Sequence, residues 1–124
     1  MEFNNQQAIY LQIAEMICEL ILLKKFREDE RIPSVRAMAV QLEVHPNTVM
    51  RTYEFLQGKE IISNKRGVGY FVSADGIVKA TDFRKKEFLE QELPKIFKTA
   101  QLLQISFEEL KERYNHFDKT KATE

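Results

Sequence analysis

Pro33-Ser34-Val35-Arg36, Val44-His45-Pro46-Asn47-Thr48-Val49-Met50-Arg51 and Lys65-Arg66-Gly67-Val68-Gly69-Tyr70 follow one another in a single short run. Their order decides the fold. Ser34 comes directly after a proline and before Val35, Met38, Ala39 and Leu42, which is an N-cap followed by an i, i+3, i+4, i+7 stripe and predicts a short helix. A turn at Glu43-Val44 leads into the next helix. His45 takes its cap position and Pro46 its first turn, where a missing N–H is not needed. Val49, Tyr53 and Leu56, with Phe55 beside them, form the inward face, and Gly58 is expected to close the helix. Ile61-Ile62-Ser63 and Tyr70-Phe71-Val72 are short β runs. The glycines between them, Gly67 and Gly69, admit positive φ, so the pair reads as a hairpin, or wing.

Upstream, residues 6–23 predict a helix. Ile9, Ile13, Ile17 and Leu20 keep helical spacing, and Leu11, Cys18 and Leu22 form a second apolar flank, so this helix is expected to be buried on more than one side. Its end dissolves into the charged stretch Lys24 to Arg31, and Pro33 stops any continuation. Downstream, Ser73 to Thr81 reads as a hinge containing Gly76. Leu89, Leu93, Ile96, Ala100 and Leu103 then alternate steps of four and three, with Pro94 kinking or restarting the helix. Ser106 and Glu109 form a capping box ahead of Phe107, Leu110, Tyr114 and Phe117. The expected architecture is mainly α (α+β). An N-terminal winged helix-turn-helix, three helices plus a two-stranded wing, occupies 1–75. A hinge follows at 76–81, then a two-helix dimerisation tail at 82–118 and a frayed polar terminus at 119–124.

Composition narrows the classes. Apolar residues make up 44% of the 124, which supports a packed core and argues against wholesale disorder. No apolar run approaches the ~18 residues a membrane span needs, and no basic n-region marks a secretory signal, so a cytoplasmic protein without membrane contact is expected. The lone Cys18 reads as a small buried hydrophobe in a reducing compartment. The formal net charge is zero, whereas nucleic-acid binders are usually basic. Between Ser34 and Ser73, however, five basic residues face three acidic ones. Such a small excess suffices when two copies act together, because phosphate contacts add across a dimer.

A helix-turn-helix holds its last helix by one face and presents the other to a DNA groove, reading base edges with N-terminal residues. Val49, Tyr53 and Leu56 anchor that helix, while Pro46, Asn47, Met50 and Arg51 fall on or near the outer side of its first turn and a half. Asn can pair bidentately with adenine and Arg with guanine; Thr48 suits a phosphate or a thymine methyl. Ser34 and Arg36, with the amides that open their helix, are placed for the backbone. Lys65, Arg66, Gly67, Val68 and Gly69 carry the wing toward the minor groove. Taken singly, Asn47 is an ordinary surface cap, Arg51 a solvated charge and Arg84-Lys85-Lys86 a wet helix face. The functional reading rests on their shared register.

These same pieces carry a family resemblance. Ile9-Tyr10-Leu11-Gln12-Ile13-Ala14, Arg31-Ile32-Pro33-Ser34-Val35-Arg36, Val44-His45-Pro46-Asn47-Thr48-Val49 and Arg66-Gly67-Val68-Gly69-Tyr70-Phe71-Val72 resemble, in order and spacing, the winged helix-turn-helix of the GntR family of bacterial transcription regulators. The short C-terminal part is similar to the short-tailed, YtrA-like branch, whose two C-terminal helices make a dimer and whose members often repress genes for ABC transporters. The resemblance implies a homodimeric, sequence-specific repressor on a palindromic operator. It places Arg36, Asn47, Thr48, Arg51 and the wing from Gly67 to Gly69 at DNA, and implies a dimer seam of Leu89, Leu93, Ile96, Ala100, Leu103, Phe107, Leu110 and Tyr114. His45, Pro46, Ala37 and Met50 depart from common residues of the family, which bears on the operator sequence rather than the binding mode.

Two other classes compete. Catalysis would need groups the sequence lacks. His45 and His116 are its two histidines, no Ser-His-Asp order or paired metal ligands appear, and Gly67-Val68-Gly69 is not followed by a helix, so neither enzyme activity nor a metal or cofactor is expected. The alternative is a winged-helix protein-interaction module without DNA binding. Such modules lose their basic groove-facing positions, whereas Arg36, Arg51, Lys65 and Arg66 remain here. The apolar seam of the tail can serve as a dimer interface, a pocket for a small-molecule effector, or both.

Overall fold

The computed structural model describes residues 7–118 together with Phe3. Its elements run α1 (Ile9–Leu22), α2 (Val35–Leu42), α3 (Pro46–Gly58), β1 (Ile62–Lys65), β2 (Gly69–Val72), α4 (Gly76–Glu87), a π-helical segment (Phe88–Glu92), α5 (Leu93–Leu102) and α6 (Phe107–Asn115). One compact unit ends at Arg84 and a second begins at Lys85. The mainly helical fold with a two-stranded antiparallel wing is the one expected. The expected terminus at 119–124 lies outside the described residues.

The helix starts follow local chemistry. Ser34 Oγ accepts the Ala37 N–H at 3.1 Å, and His45 Nδ1 accepts the Asn47 N–H at 3.1 Å ahead of Pro46. Ser106 Oγ accepts the Glu109 N–H at 3.2 Å. The helix ends are less obvious. Lys24, Glu43, Glu60 and Gln104 all take positive φ, from 56° to 62°. In each case the next residue's N–H reaches back five positions: Lys25 to Leu20, Val44 to Ala39, Ile61 to Leu56 and Ile105 to Ala100, at 2.8–3.1 Å. These are Schellman closures made without glycine. Gly58, the expected terminator, remains helical, and Glu60 takes the left-handed position instead. The apolar residue just after three of the closures, Val44, Ile61 or Ile105, is half-buried or buried. That packing offsets the strain of a left-handed side chain.

The core of the first unit gathers Ile13, Ala14, Ile17, Cys18 and Ile21 from α1, Met38 and Ala39 from α2, Val49, Tyr53 and Leu56 from α3, and Ile61, Ile62 and Val72 from the base of the wing. α1 is thus rotated from the expected stripe, with Ala14 and Ile21 buried while Ile9 and Leu22 are exposed.

The wing pairs Ile62 with Val72 through Lys65 with Gly69, leaving Arg66-Gly67-Val68 as a three-residue loop with Gly67 at φ 78°. Each strand extends beyond its expected bounds toward that loop. The charged stretch before Pro33 is also ordered against the sheet. Asp29 N–H donates to Val72 O (2.9 Å), Val72 N–H to Glu30 O (3.0 Å) and Ile32 N–H to Tyr70 O (2.9 Å), while Arg31 bridges Phe71 in antiparallel fashion. Residues 29–32 therefore cover the second edge of β2.

The expected hinge at 76–81 is helical. Gly76 packs so closely on Val72 that a Cβ there would lie 2.5 Å from Val72 Cγ1. The Glu28 carboxylate accepts the Ile77 N–H at 3.2 Å, and Ala80 is fully buried. These contacts fix the start of α4 onto the first unit, so the segment is an integral part of it. Farther on, Pro94 has no N–H for the Glu90 carbonyl. The helix widens just before it, Leu93 N–H bonding Phe88 O, which is the π-helical route around such a defect.

Tyr53 ties the block together. Fully buried, it donates its hydroxyl to Pro33 O at 2.6 Å and packs edge-on against Tyr70 at 4.9 Å, joining α3 to the start of α2 and to the wing. Burial pushes its phenol well above the usual tyrosine range, with Tyr70 adding to the effect. The neutral form is therefore favoured by folding, and its contribution is complete below about pH 10 and lost as pH rises beyond. Tyr53→Phe is expected to cost about 1–2 kcal/mol at neutral pH through the orphaned Pro33 carbonyl. It should also flatten the alkaline limb of a stability-versus-pH series measured by urea unfolding.

Candidate nucleic-acid interface

α3 is gripped from three sides, by α1, α2 and β1. Val49, Thr52, Tyr53 and Leu56 are its buried positions. Thr52 was not anticipated. Its hydroxyl donates to Tyr10 O on α1 at 2.8 Å, with Thr48 O a second partner at 3.1 Å, so a buried polar group locks α3 to α1. The opposite face is open. Pro46, Asn47, Met50 and Arg51 are exposed and Thr48 is half-buried. No other part of the first unit covers this stretch.

Around it lie the remaining expected residues. Ser34 and Arg36 are exposed at the start of α2, and Lys65, Arg66, Gly67 and Val68 are exposed on the wing, with Gly69 half-buried. Tyr70 connects the two surfaces, its hydroxyl lying 3.9 Å from Met50 Sδ. Lys65 Nζ sits 4.2 Å from the centre of the Phe71 ring. Among the described residues, Arg36, Arg51, Lys65 and Arg66 take part in no ion pair, so no carboxylate there neutralises their charge. The ion pairs of the first unit, Lys79 with Glu60 (3.1 Å) and Arg84 with Glu15 (3.5 Å), use other cations. The Glu60 carboxylate, by hydrogen bond and charge, raises the pKa of Lys79.

Two residues without an assigned role sit at this surface. Arg31 lies against the wing, where a Cβ on Gly69 would fall 2.8 Å from Arg31 Nε. With its φ of +141°, Gly69 is favoured here by the backbone, and any side chain there would also displace the Arg31 guanidinium. Tyr10 lies beneath Arg51, whose guanidinium carbon is 3.9 Å from the ring centre. Both residues stand in the stretches that carry the family resemblance, and only their burial partners reveal where they point. Among the described residues no cluster of His, Cys, Asp and Glu could hold a metal ion.

A winged block whose third helix exposes its first turns, beside cations in no ion pair among the described residues, can be placed among known proteins. Residues 9–72 match the model of the gntR family of bacterial regulatory proteins. The chain belongs to the GntR family. It is accordingly a DNA-binding transcription regulator of the winged helix-turn-helix type. The HTH-type transcriptional regulator YhcF of Bacillus subtilis is 36% identical over 91 residues, covering 72% of this chain and 75% of YhcF. The HTH-type transcriptional repressor YtrA of the same organism is 29% identical over 104 residues, covering 84% and 79%. Among solved structures, a GntR-family transcriptional regulator from Bacteroides thetaiotaomicron is 45% identical with a TM-score of 0.73, covering 92% of this chain and 99% of that one.

The second unit carries the residues expected at a dimer seam. Ala100 is buried, and Leu93 and Leu110 are half-buried. Leu89, Ile96, Leu103, Phe107 and Tyr114 are exposed, as are Phe97, Leu102 and Phe117. A shallow apolar recess of about 340 Å³ is lined by Lys95, Ile96, Thr99, Ala100, Ile105 and Leu110. Among the described residues, no helix is long and apolar enough to cross a membrane.

Proposed function

We propose that this GntR regulator acts as a homodimeric repressor on a palindromic operator, of ABC-transporter genes as in the short-tailed branch it resembles. Each protomer sets Pro46 to Arg51 in a major groove and Lys65 to Gly69 in the adjoining minor groove, with Ser34 and Arg36 on the backbone. The observation that carries this reading is the exposed first turn and a half of α3, where Arg51, with Arg36, Lys65 and Arg66 beside it, takes part in no ion pair among the described residues. The similarity to YtrA, a transcriptional repressor by name, supports the direction of regulation. The exposed apolar residues of the second unit support pairing of two copies, since monomers rarely expose a patch of that kind. Two-fold pairing then requires inverted half-sites. The recess beside Ile96 and Ala100 is read as part of that seam.

Selection of bound sequences from a random duplex pool tests symmetry and spacing together. Two inverted half-sites at a fixed spacing are expected, and enrichment of a single half-site or of none would sink the reading. On the duplex so recovered, Arg51→Ala should cost about 1–3 kcal/mol and relax preference at one base pair, whereas Lys65→Ala should weaken all sequences alike and reduce the salt slope. A titration whose affinity does not fall with salt would contradict the phosphate contacts.

A further inference from the structure

We propose that Tyr10, on α1, is a positioning residue for Arg51, its ring holding the guanidinium in the attitude in which it meets DNA. The inference rests on the reading of Arg51 as a DNA contact. An arginine on an exposed helix face has many rotamers, and ordering them on binding weakens the complex. Here the guanidinium carbon lies 3.9 Å above the centre of the Tyr10 ring. A cation stacked on a ring is attracted by its negative face, and the guanidinium N–H donors, which lie in the guanidinium plane, stay available at its edge. The stack therefore restricts Arg51 without using up the groups that would contact a phosphate or base.

The ring is itself held in place. The Tyr10 carbonyl accepts the Thr52 hydroxyl at 2.8 Å. The Tyr10 ring meets Phe55 edge-on at 6.1 Å and 74°, and Phe55 meets Phe83 of α4 at 5.5 Å and 67°. Tyr10 is thus one member of an aromatic series braced by three helices, and Arg51 rests on its outer end. Asn47, Thr48 and Arg51 line one recess of about 350 Å³ with Tyr10. A group docking there meets all three polar side chains at once, so the attitude of Arg51 governs what the recess accepts.

The test compares binding of full-length variants to the duplex most enriched by the wild-type protein from a random pool. Y10L is expected to weaken binding about two- to fivefold per half-site, the range of an exposed cation–π contact, and to relax preference at the base pair nearest Arg51. Y10F, which keeps the ring, should stay within about twofold of wild type. In an R51A background, Y10L should cost nothing further. A ring-fluorinated phenylalanine at position 10 keeps the shape while weakening the negative face, so it should reproduce the loss without touching the core. Equal losses from Y10L with and without Arg51, or wild-type binding by the fluorinated protein, would overturn the proposal. The underlying reading fails separately. An R51A protein that binds like wild type removes Arg51 from the interface, and Tyr10 with it. A wild-type protein that enriches no duplex removes DNA reading altogether.

Discussion

A chain ended after Glu87 is expected to fold, to be monomeric, and to bind a palindromic duplex at least about a hundredfold more weakly than the full chain. Folding is expected because the core of the first unit draws on α1, α2, α3, the wing and Ala80, all upstream of the cut. α4 stays whole, and Phe83 and Arg84 keep their contacts with Phe55 and Glu15. Monomeric behaviour is expected because the exposed apolar side chains concentrated between Phe88 and Phe117 are removed. The loss of affinity follows from geometry. In a dimer the second half-site binds intramolecularly, which raises avidity by roughly 10²–10⁴ without any new contact. Light scattering and a binding titration on the same duplex read the two effects together. A fragment that stays dimeric would place the interface in the first unit, and a monomer of undiminished affinity would remove the need for pairing. Full-length L103E and F107E give an independent route. These side chains are 65% and 70% exposed in the protomer, so a charge there should spare the fold while breaking the pair.

Much of this architecture is legible in the sequence because its signals are local. Ser34, His45-Pro46 and Ser106 mark helix starts through hydrogen bonds that span two or three residues, and all three caps form in the structure. The wing turn is likewise fixed by two glycines within three positions. The signals that fail are those that depend on distant partners. Gly58 looks like a terminator, yet the end of α3 is decided by Ile61, which must enter the core, so Glu60 takes the left-handed turn. Residues 29–32 look unstructured because only Ile32 is apolar, and what orders them is the open edge of β2, some forty residues away. Gly76 reads as a hinge, but the absence of its Cβ serves a close approach to Val72. In the site, residue types pointed to Asn47 and Arg51, and both are exposed on α3. They gave no indication of the Thr52 hydroxyl or the Tyr10 ring, because a single threonine or tyrosine carries no pattern until its neighbour in space is known.

Leu56→Ala should remove about 2–5 kcal/mol from the first unit, the range for truncating a fully buried leucine. Leu56 is completely inaccessible, and its carbonyl also receives the Ile61 N–H that closes α3. The hole would open on the inner side of the helix that presents Asn47 and Arg51. Domains of this size hold only about 5–15 kcal/mol in total, so the variant would sit near the edge of unfolding. The expected readout is a large drop in the urea midpoint with an unchanged slope. Binding should fall only in proportion to the unfolded fraction, because no contacting group is lost. Leu102→Ala supplies the contrast. That side chain is 75% exposed and helical propensity favours alanine, so the protomer should lose no more than about 0.5 kcal/mol. A loss below about 1 kcal/mol at Leu56 would mean that the block collapses around the hole. α3 would then be adjustable in its seat, and the fixed presentation on which groove reading depends would be gone.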